Sequence, residues 1–353
     1  MPSSVAAMLE SKTVFVVGAG ASNEANLPVG STLRKIIYDK VDFRADDVGR
    51  RDPLHGDNKL FDCIRRHYGN SANNYFNACG RIRAGILTSA SIDDFLDVHR
   101  DDREMVECGK MAIAQAILEA EKSSHLSYDA QNAYNTIDFS RLEKTWYMGF
   151  FRLLHEGLSK SERHYIFKNA TVISFNYDRC IEHFLLHALA AHYLIDRQEA
   201  RELARKLPIY HPFGSVGDYL GSPQEQVPFG LADIREFGQI TKNIKIYTER
   251  ITDEESLAQI RSAVRDAHVV VFLGNAFQRS NMNLITPKEP TVARKRIYFT
   301  RIGVSDADLE VVKQLLTLLS GNSPKYIPHP EGDYHYTDTC YKLFEEFRMS
   351  LRQ

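Results

Sequence analysis

Three short apolar runs constrain this chain most: Thr13-Val-Phe-Val-Val17, Ala170-Thr-Val-Ile-Ser-Phe175 and His268-Val-Val-Val-Phe-Leu273. Apolar residues fall on both sides of the strand alternation. Such a run suits a strand buried on both faces, the environment of a parallel sheet covered by helices. Each run stops at a glycine or polar turn, at Gly18, Asn176 and Gly274. Pro208–Ser215, Ile244–Tyr247 and Arg296–Thr300 are further strand candidates. Helical spacing fills the intervals: Ser31–Tyr38, the stripe Ile181, Phe184, Leu185, Ala188 and Leu189, then Ser256–Val264, Asp306–Leu319 and Thr339–Leu351. Strands alternating with helices predict an α/β protein with a doubly wound, mostly parallel sheet.

Between residues 41 and 168 the strand signal vanishes. Ile92, Phe95, Leu96 and His99 share one helical face, with Ser91 and Asp94 as a capping box. Met111–Ala120 is a strong helix former, and Trp146, Phe150, Leu153, Leu154 and Leu158 repeat as a buried stripe, which makes the single Trp a core residue. A large helical insertion after the first βα unit is therefore expected. The chain of 353 residues carries 44 Lys+Arg against 46 Asp+Glu, a net charge of −2, which argues against a protein that coats nucleic acid or anionic membrane. Its five cysteines are scattered without a CxxC pair, which excludes a paired-cysteine zinc ribbon and a disulfide scaffold and fits a reducing compartment. No secretory signal and no apolar run long enough for a transmembrane helix is visible, so a cytoplasmic location and no membrane contact are expected.

In open α/β sheets ligands bind outside the carboxyl ends of the strands, and the chemistry-bearing residues of this chain gather there. Gly18-Ala-Gly-Ala-Ser22 has glycines for a sharp bend and for close approach of backbone to phosphate. Asn23 stands where the dinucleotide fingerprint has its third glycine, and no GK[ST] follows, so a tight βα turn is the plainer alternative. In Ser174-Phe-Asn-Tyr-Asp178, Asn176 and Asp178 suit hydrogen bonds to ribose hydroxyls or to a positioned water, and Asp178 also suits an N-cap. His211, in Tyr-His-Pro-Phe-Gly-Ser215, is suited to proton transfer near neutral pH, or to a strand-end histidine satisfied by backbone. Gly274-Asn-Ala-Phe277 is a further glycine turn. His183 and His187 lie opposite the apolar stripe of their helix and read as a solvated pair rather than a zinc site. Gly214-Ser-Val-Gly217 is no serine-hydrolase elbow. Lys288, Arg294, Lys295, Arg296 and Arg301 form a basic cluster, either a nucleic-acid contact or a solvated face.

In this order along the chain, GAGAS, FNYD, HPFGS and FLGNAF resemble the motifs of the sirtuin-like (SIR2-like) family, over roughly Val14 to Asn283. The segment SIDDFLD, Ser91 to Asp97, also resembles one found in prokaryotic members. The missing zinc ribbon sets the chain apart from the deacylases and makes it more similar to the NAD-hydrolysing proteins of bacterial anti-phage defence. The resemblance implies a Rossmann-like NAD-binding core over residues 1–40 and 169–330, a helical insertion over 41–168 and a C-terminal helix over 331–353. It implies NAD as substrate and no metal. Gly18, Gly20 and Ser22, with backbone of Ala19 and Ala21, would bind phosphates, with Pro28 in the same loop. Asn176 would position water or ribose, His211 would act as base or hold a ribose hydroxyl, and Asp178 would orient them. Gly214 and Ser215 belong to the His-Gly turn, and Gly274 and Phe277 to the turn beside the adenosine ribose. A toxic NAD hydrolase needs control. About seventy residues beyond Asn283 are too few for a large sensor, so a homo-oligomer and a separate partner, such as a HerA-type ATPase, are expected. The alternative is a catalytically silent nucleotide-binding scaffold or a nucleic-acid-associated interaction module.

Overall fold

The computed structural model describes residues 9–44, 53–128, 136–221, 227–231, 237–251, 254–289, 295–320 and 334–353. Six strands form one sheet: β1 (Thr13–Val17), β2 (Ala170–Ser174), β3 (Ile209–Tyr210), β4 (Val269–Leu273), β5 (Arg296–Thr300) and β6 (Tyr334–Thr337). All pairs are parallel, in the order β3-β2-β1-β4-β5-β6. This is the Rossmann-like doubly wound arrangement, whose strand order reverses between β1 and β4. The three apolar runs are its central strands, and β1 and β4 are buried throughout. Their register is level: Val17 pairs with both Ser174 and Leu273. The turns at Gly18, Asn176 and Gly274 therefore leave the sheet side by side.

Alternation along β1 sends Val14 and Val16 into one core and Phe15 and Val17 into another. Among the described residues, the segment between β1 and β2 contains helices and no strand, and those helices divide between the two faces. Residues of Asn58–Tyr68, Ala72–Gly85, Ile92–Val98 and Arg103–Ser123 pack on the Val14 face. Trp146–His155 packs on the Phe15 face, against Cys180–Tyr193 and the last helix, Cys340–Arg352. One fully buried ion pair ties the insertion to the sheet. Arg179, before the helix that follows β2, donates from Nε (3.1 Å) and Nη2 (2.5 Å) to the Glu121 carboxylate.

Two sequence expectations change. Ile244–Tyr247 is no strand: the Lys245 N–H goes to the Phe213 carbonyl, the Ile246 N–H to Glu249 Oε2, and Tyr247 opens the helix Tyr247–Ile251. Its alternating isoleucines lie in the connection between two helices and are buried in the core on the Val14 face rather than in the sheet. The C-terminal segment is more than a helix, because β6 precedes Cys340–Arg352 and closes the sheet edge. No described helix is long and apolar enough to cross a membrane.

Candidate functional site

A cavity of about 350 Å³ opens where the strand order reverses, at the carboxyl ends of β1, β2, β4 and β5. Larger clefts, of about 540 and 560 Å³, lie along the helix Glu254–Asp266 and at the amino ends of β1 and β2, away from all four motifs. Gly18, Ala19, Gly20, Asn176 and Gly274 line the switch-point cavity. Its wall is two glycine turns locked together. The Gly18 N–H donates to the Leu273 carbonyl at 2.9 Å and the Gly20 N–H to the Gly274 carbonyl at 3.0 Å. A Cβ on Gly18 or Gly20 would lie 2.6–2.8 Å from Gly274 backbone, and one on Gly274, at φ +59°, would lie 2.0 Å from the Ala21 nitrogen. These glycines are thus required for turn-on-turn packing. The amides of Gly18, Gly20 and Ala21 are all spent inside the protein, the last on the Gly18 carbonyl. These three amides are therefore not available to a phosphate, while Ala19, expected to add a backbone contact, lines the cavity. The cause is the level register, which brings the two turns within bonding distance.

Asn176 connects the second motif to the first. Its Nδ2 donates to the Gly18 carbonyl at 3.0 Å and to Ser22 Oγ at 2.9 Å. A carbonyl only accepts, so the Gly18 contact fixes the amide orientation and leaves Oδ1 as the acceptor of this cavity-lining residue. Ser22 is buried and hydrogen-bonded in turn to Asp178, whose Oδ1 also accepts from the Cys180 N–H at 3.2 Å. Burial pushes the Asp178 carboxyl above the usual carboxylate range, although the Ser22 and Cys180 bonds pull the other way. Ser22 and Asp178 therefore lie behind Asn176 and do not line the cavity. Ala21 is buried as well, its carbonyl taking the indole N–H of Trp146 at 3.0 Å, so the core tryptophan holds the glycine turn.

His211 departs from its expected position. Its Nδ1 lies 3.2 Å from the Asn176 carbonyl and its Nε2 2.8 Å from Glu182 Oε1. With one nitrogen donating to a carbonyl and the other on a carboxylate, the ring has no nitrogen left for a substrate proton. Burial pulls the imidazole down, yet the charge and hydrogen bond of Glu182 outweigh it and hold it above its ordinary value. The HPFGS turn splits at this point. Phe213 lines the switch-point cavity, while His211, Gly214 and Ser215 line a neighbouring cleft of about 520 Å³ with Glu182. Gly214, at φ +71°, lets the Asn243 carbonyl come where a Cβ would stand, and Ser215 Oγ donates to Gly217.

Pro28 faces a different cleft, and its neighbours Val29 and Gly30 line the cavity instead. Phe277 is buried against Phe272 and Phe299. The structure adds residues that the motifs did not assign: Ser91 and Asp93 from the helical insertion, and Asn275, Gln278, Asn281 and Thr300 from the β4 and β5 side. The SIDDFLD segment was the only advance signal for the first two.

His183 and His187 are buried, not solvated. His183 Nε2 donates to the Leu126 carbonyl at 3.0 Å, and its Nδ1 meets the Tyr219 hydroxyl at 2.7 Å. The polar side of their helix is covered by Tyr128, Tyr219 and Phe229, which the helical pattern could not disclose. The basic cluster also dissolves among the described residues. Lys295 is buried on the carbonyls of Arg265 and Ala267, Arg296 donates to the Ser350 carbonyl, and Arg301 pairs with Asp306. Lys288 is exposed, and Arg294 lies outside the described residues. All five cysteines are buried free thiols, and no group of three or more metal-ligating side chains occurs among the described residues. Neither a protein-family model nor a curated relative matches this chain.

Proposed function

We propose that the chain binds NAD in the switch-point cavity and hydrolyses its nicotinamide–ribose bond, giving nicotinamide and ADP-ribose. One observation carries this reading: Asn176 lines the cavity with its amide donor side tied to Gly18 and Ser22, which leaves Oδ1 as its acceptor. In the reaction a water oxygen bonds to C1′, the C1′–N bond breaks with its electron pair passing to the nicotinamide ring, and one water proton is released. The transition state is oxocarbenium-like. Its chief need is a ribose and a water held in fixed geometry, which a pre-oriented amide supplies without reorganisation. His211 acts as a positioning residue, clamping the Asn176 backbone to Glu182.

An enzyme that drains NAD is toxic when unregulated. We therefore assign it the role of an effector in anti-phage defence, controlled by self-assembly or by a separate partner such as a HerA-type ATPase. The test is incubation of the purified chain with NAD, with and without that partner, following nicotinamide release. Asn176→Ala and His211→Ala should abolish release while keeping the native circular dichroism spectrum; wild-type turnover in either variant would remove that residue from the mechanism. Binding of NAD with no release under any condition would favour the silent scaffold instead.

A further inference from the structure

We infer that Asp93, carried by the helical insertion, is the proton acceptor of the hydrolytic site. This rests on the NAD-hydrolase reading and supplies the base that His211, with both ring nitrogens engaged, does not provide. The cavity at the strand ends is lined by glycine, alanine, aliphatic, aromatic, amide and hydroxyl residues, and Asp93 is the only titratable side chain among its described lining.

Its position follows from local structure. Ser91 N-caps the helix Ile92–Val98 by accepting from the Asp94 N–H at 3.0 Å, and Ile92, Phe95 and Leu96 bury the helix against the core. That leaves Asp93 to face the sheet ends. There Asp93 Oδ1 accepts from the hydroxyl of Tyr177, the residue after Asn176. The contact joins the insertion to the turn that carries the amide, so carboxylate and amide border one space. A carboxylate offers about four lone-pair sites, enough to hold Tyr177 and a water together.

Arg34 and Lys110, on the helices packed against this one, and Asp97, on the helix itself, have other partners. Arg34, on Gly30–Lys40, donates to the Ser89 carbonyl, Lys110 pairs with Glu249, and Asp97 accepts from the Thr248 N–H. None of them lines the cavity. In the step, the water oxygen bonds to C1′ of the nicotinamide ribose and the C1′–N pair leaves with nicotinamide. The water proton passes to the Asp93 carboxylate and from there to solvent.

The experiment follows nicotinamide release from NAD against pH for the full chain, with NAD binding measured by calorimetry. Asp93→Asn should bind NAD as wild type does, yet release nicotinamide about 10²-fold or more slowly, as expected for loss of general-base catalysis. It should also lose the acidic limb of the pH profile. Tyr177→Phe, which keeps the carboxylate but removes its donor, should move that limb to higher pH, because a hydrogen bond to the charged form had favoured ionisation. Asp93→Asn at the wild-type rate, or with the acidic limb intact, overturns the assignment. So does loss of NAD binding in step with turnover, which marks a structural role. Should Asp93→Asn fail to fold, an unmoved limb in Tyr177→Phe overturns it. A wild-type chain that releases no nicotinamide removes the NAD-hydrolase reading itself, an outcome distinct from an active Asp93→Asn variant.

Discussion

Gly274 shows how one residue can lock two turns together. Its left-handed φ of +59° and a virtual Cβ 2.0 Å from the Ala21 nitrogen leave no room for a side chain. Gly274→Ala should cost about 2–4 kcal/mol, combining the left-handed penalty with overpacking against backbone. Denaturant unfolding checks this, and a loss below about 0.5 kcal/mol would mean that the two turns separate easily. His211 makes a pH prediction of definite sign. Its folded pKa is raised by Glu182, so the stabilisation from the pair is fully present below about pH 6.5 and is lost as pH rises through the folded value. The difference in melting temperature between wild type and Glu182→Gln should be greatest near pH 6 and shrink toward pH 9. A difference that grows with pH would contradict the ion pair. At this scale the sequence singled out Asn176 and the glycine turns, which the structure brings together at one cavity. It did not disclose that His211 lines the neighbouring cleft rather than this cavity, because that depends on Glu182, which reaches the ring from the helix Cys180–Tyr193.

At the scale of elements, helix ends and buried helix faces carry the structure. Glu24, just beyond the first glycine turn, caps two distant helices. Its Oε2 accepts from the Trp146 N–H at 2.7 Å and its Oε1 from the Tyr341 N–H at 2.8 Å. Burial raises its carboxyl above the usual range against these backbone bonds. Glu24→Ala leaves two helix-terminal donors without their acceptor and should destabilise by about 2–4 kcal/mol, readable in chemical denaturation. A change within about 0.5 kcal/mol would show that water replaces both bonds. The helix Cys180–Tyr193 gives the acid-side prediction. Burial lowers His183 well below its ordinary value and His187 to about 4. Unfolding then lets the imidazoles take up protons that the folded state refuses, so stability should fall as pH drops from 6.5 toward 4. His187→Phe should flatten that slope, and an unchanged slope would place the acid sensitivity elsewhere. Element type was legible where one environment covers a whole run, as in β1 and β4. It was obscure for β6, whose Tyr-His-Tyr-Thr lies half-exposed at an edge, and for Ile244 and Ile246, where strand-like alternation serves a buried loop.

At the scale of the whole molecule, the order β3-β2-β1-β4-β5-β6 and its level register bring residues 18, 93, 176 and 274 to one cavity. The Arg179–Glu121 pair binds the insertion to that sheet with both side chains 1% exposed or less. Glu121→Leu strands a guanidinium in the core and should cost about 3–5 kcal/mol. A smaller loss, measured by denaturation, would mean that Arg179 escapes to solvent. Control by assembly also belongs to this scale. Size-exclusion mass measurement should find an oligomer, and a monomer fully active without a partner would end that proposal. The sequence by itself determined the α/β class, the central strands, the helical stretch between β1 and β2, and the motifs at the strand ends, because apolar periodicity and turn chemistry are local. Only the tertiary structure decided that the glycine amides are spent between turns, that His211 clamps rather than faces the cavity, and that Asp93 reaches it. Those facts depend on pairings between residues 29 to 255 positions apart, and no local pattern encodes them.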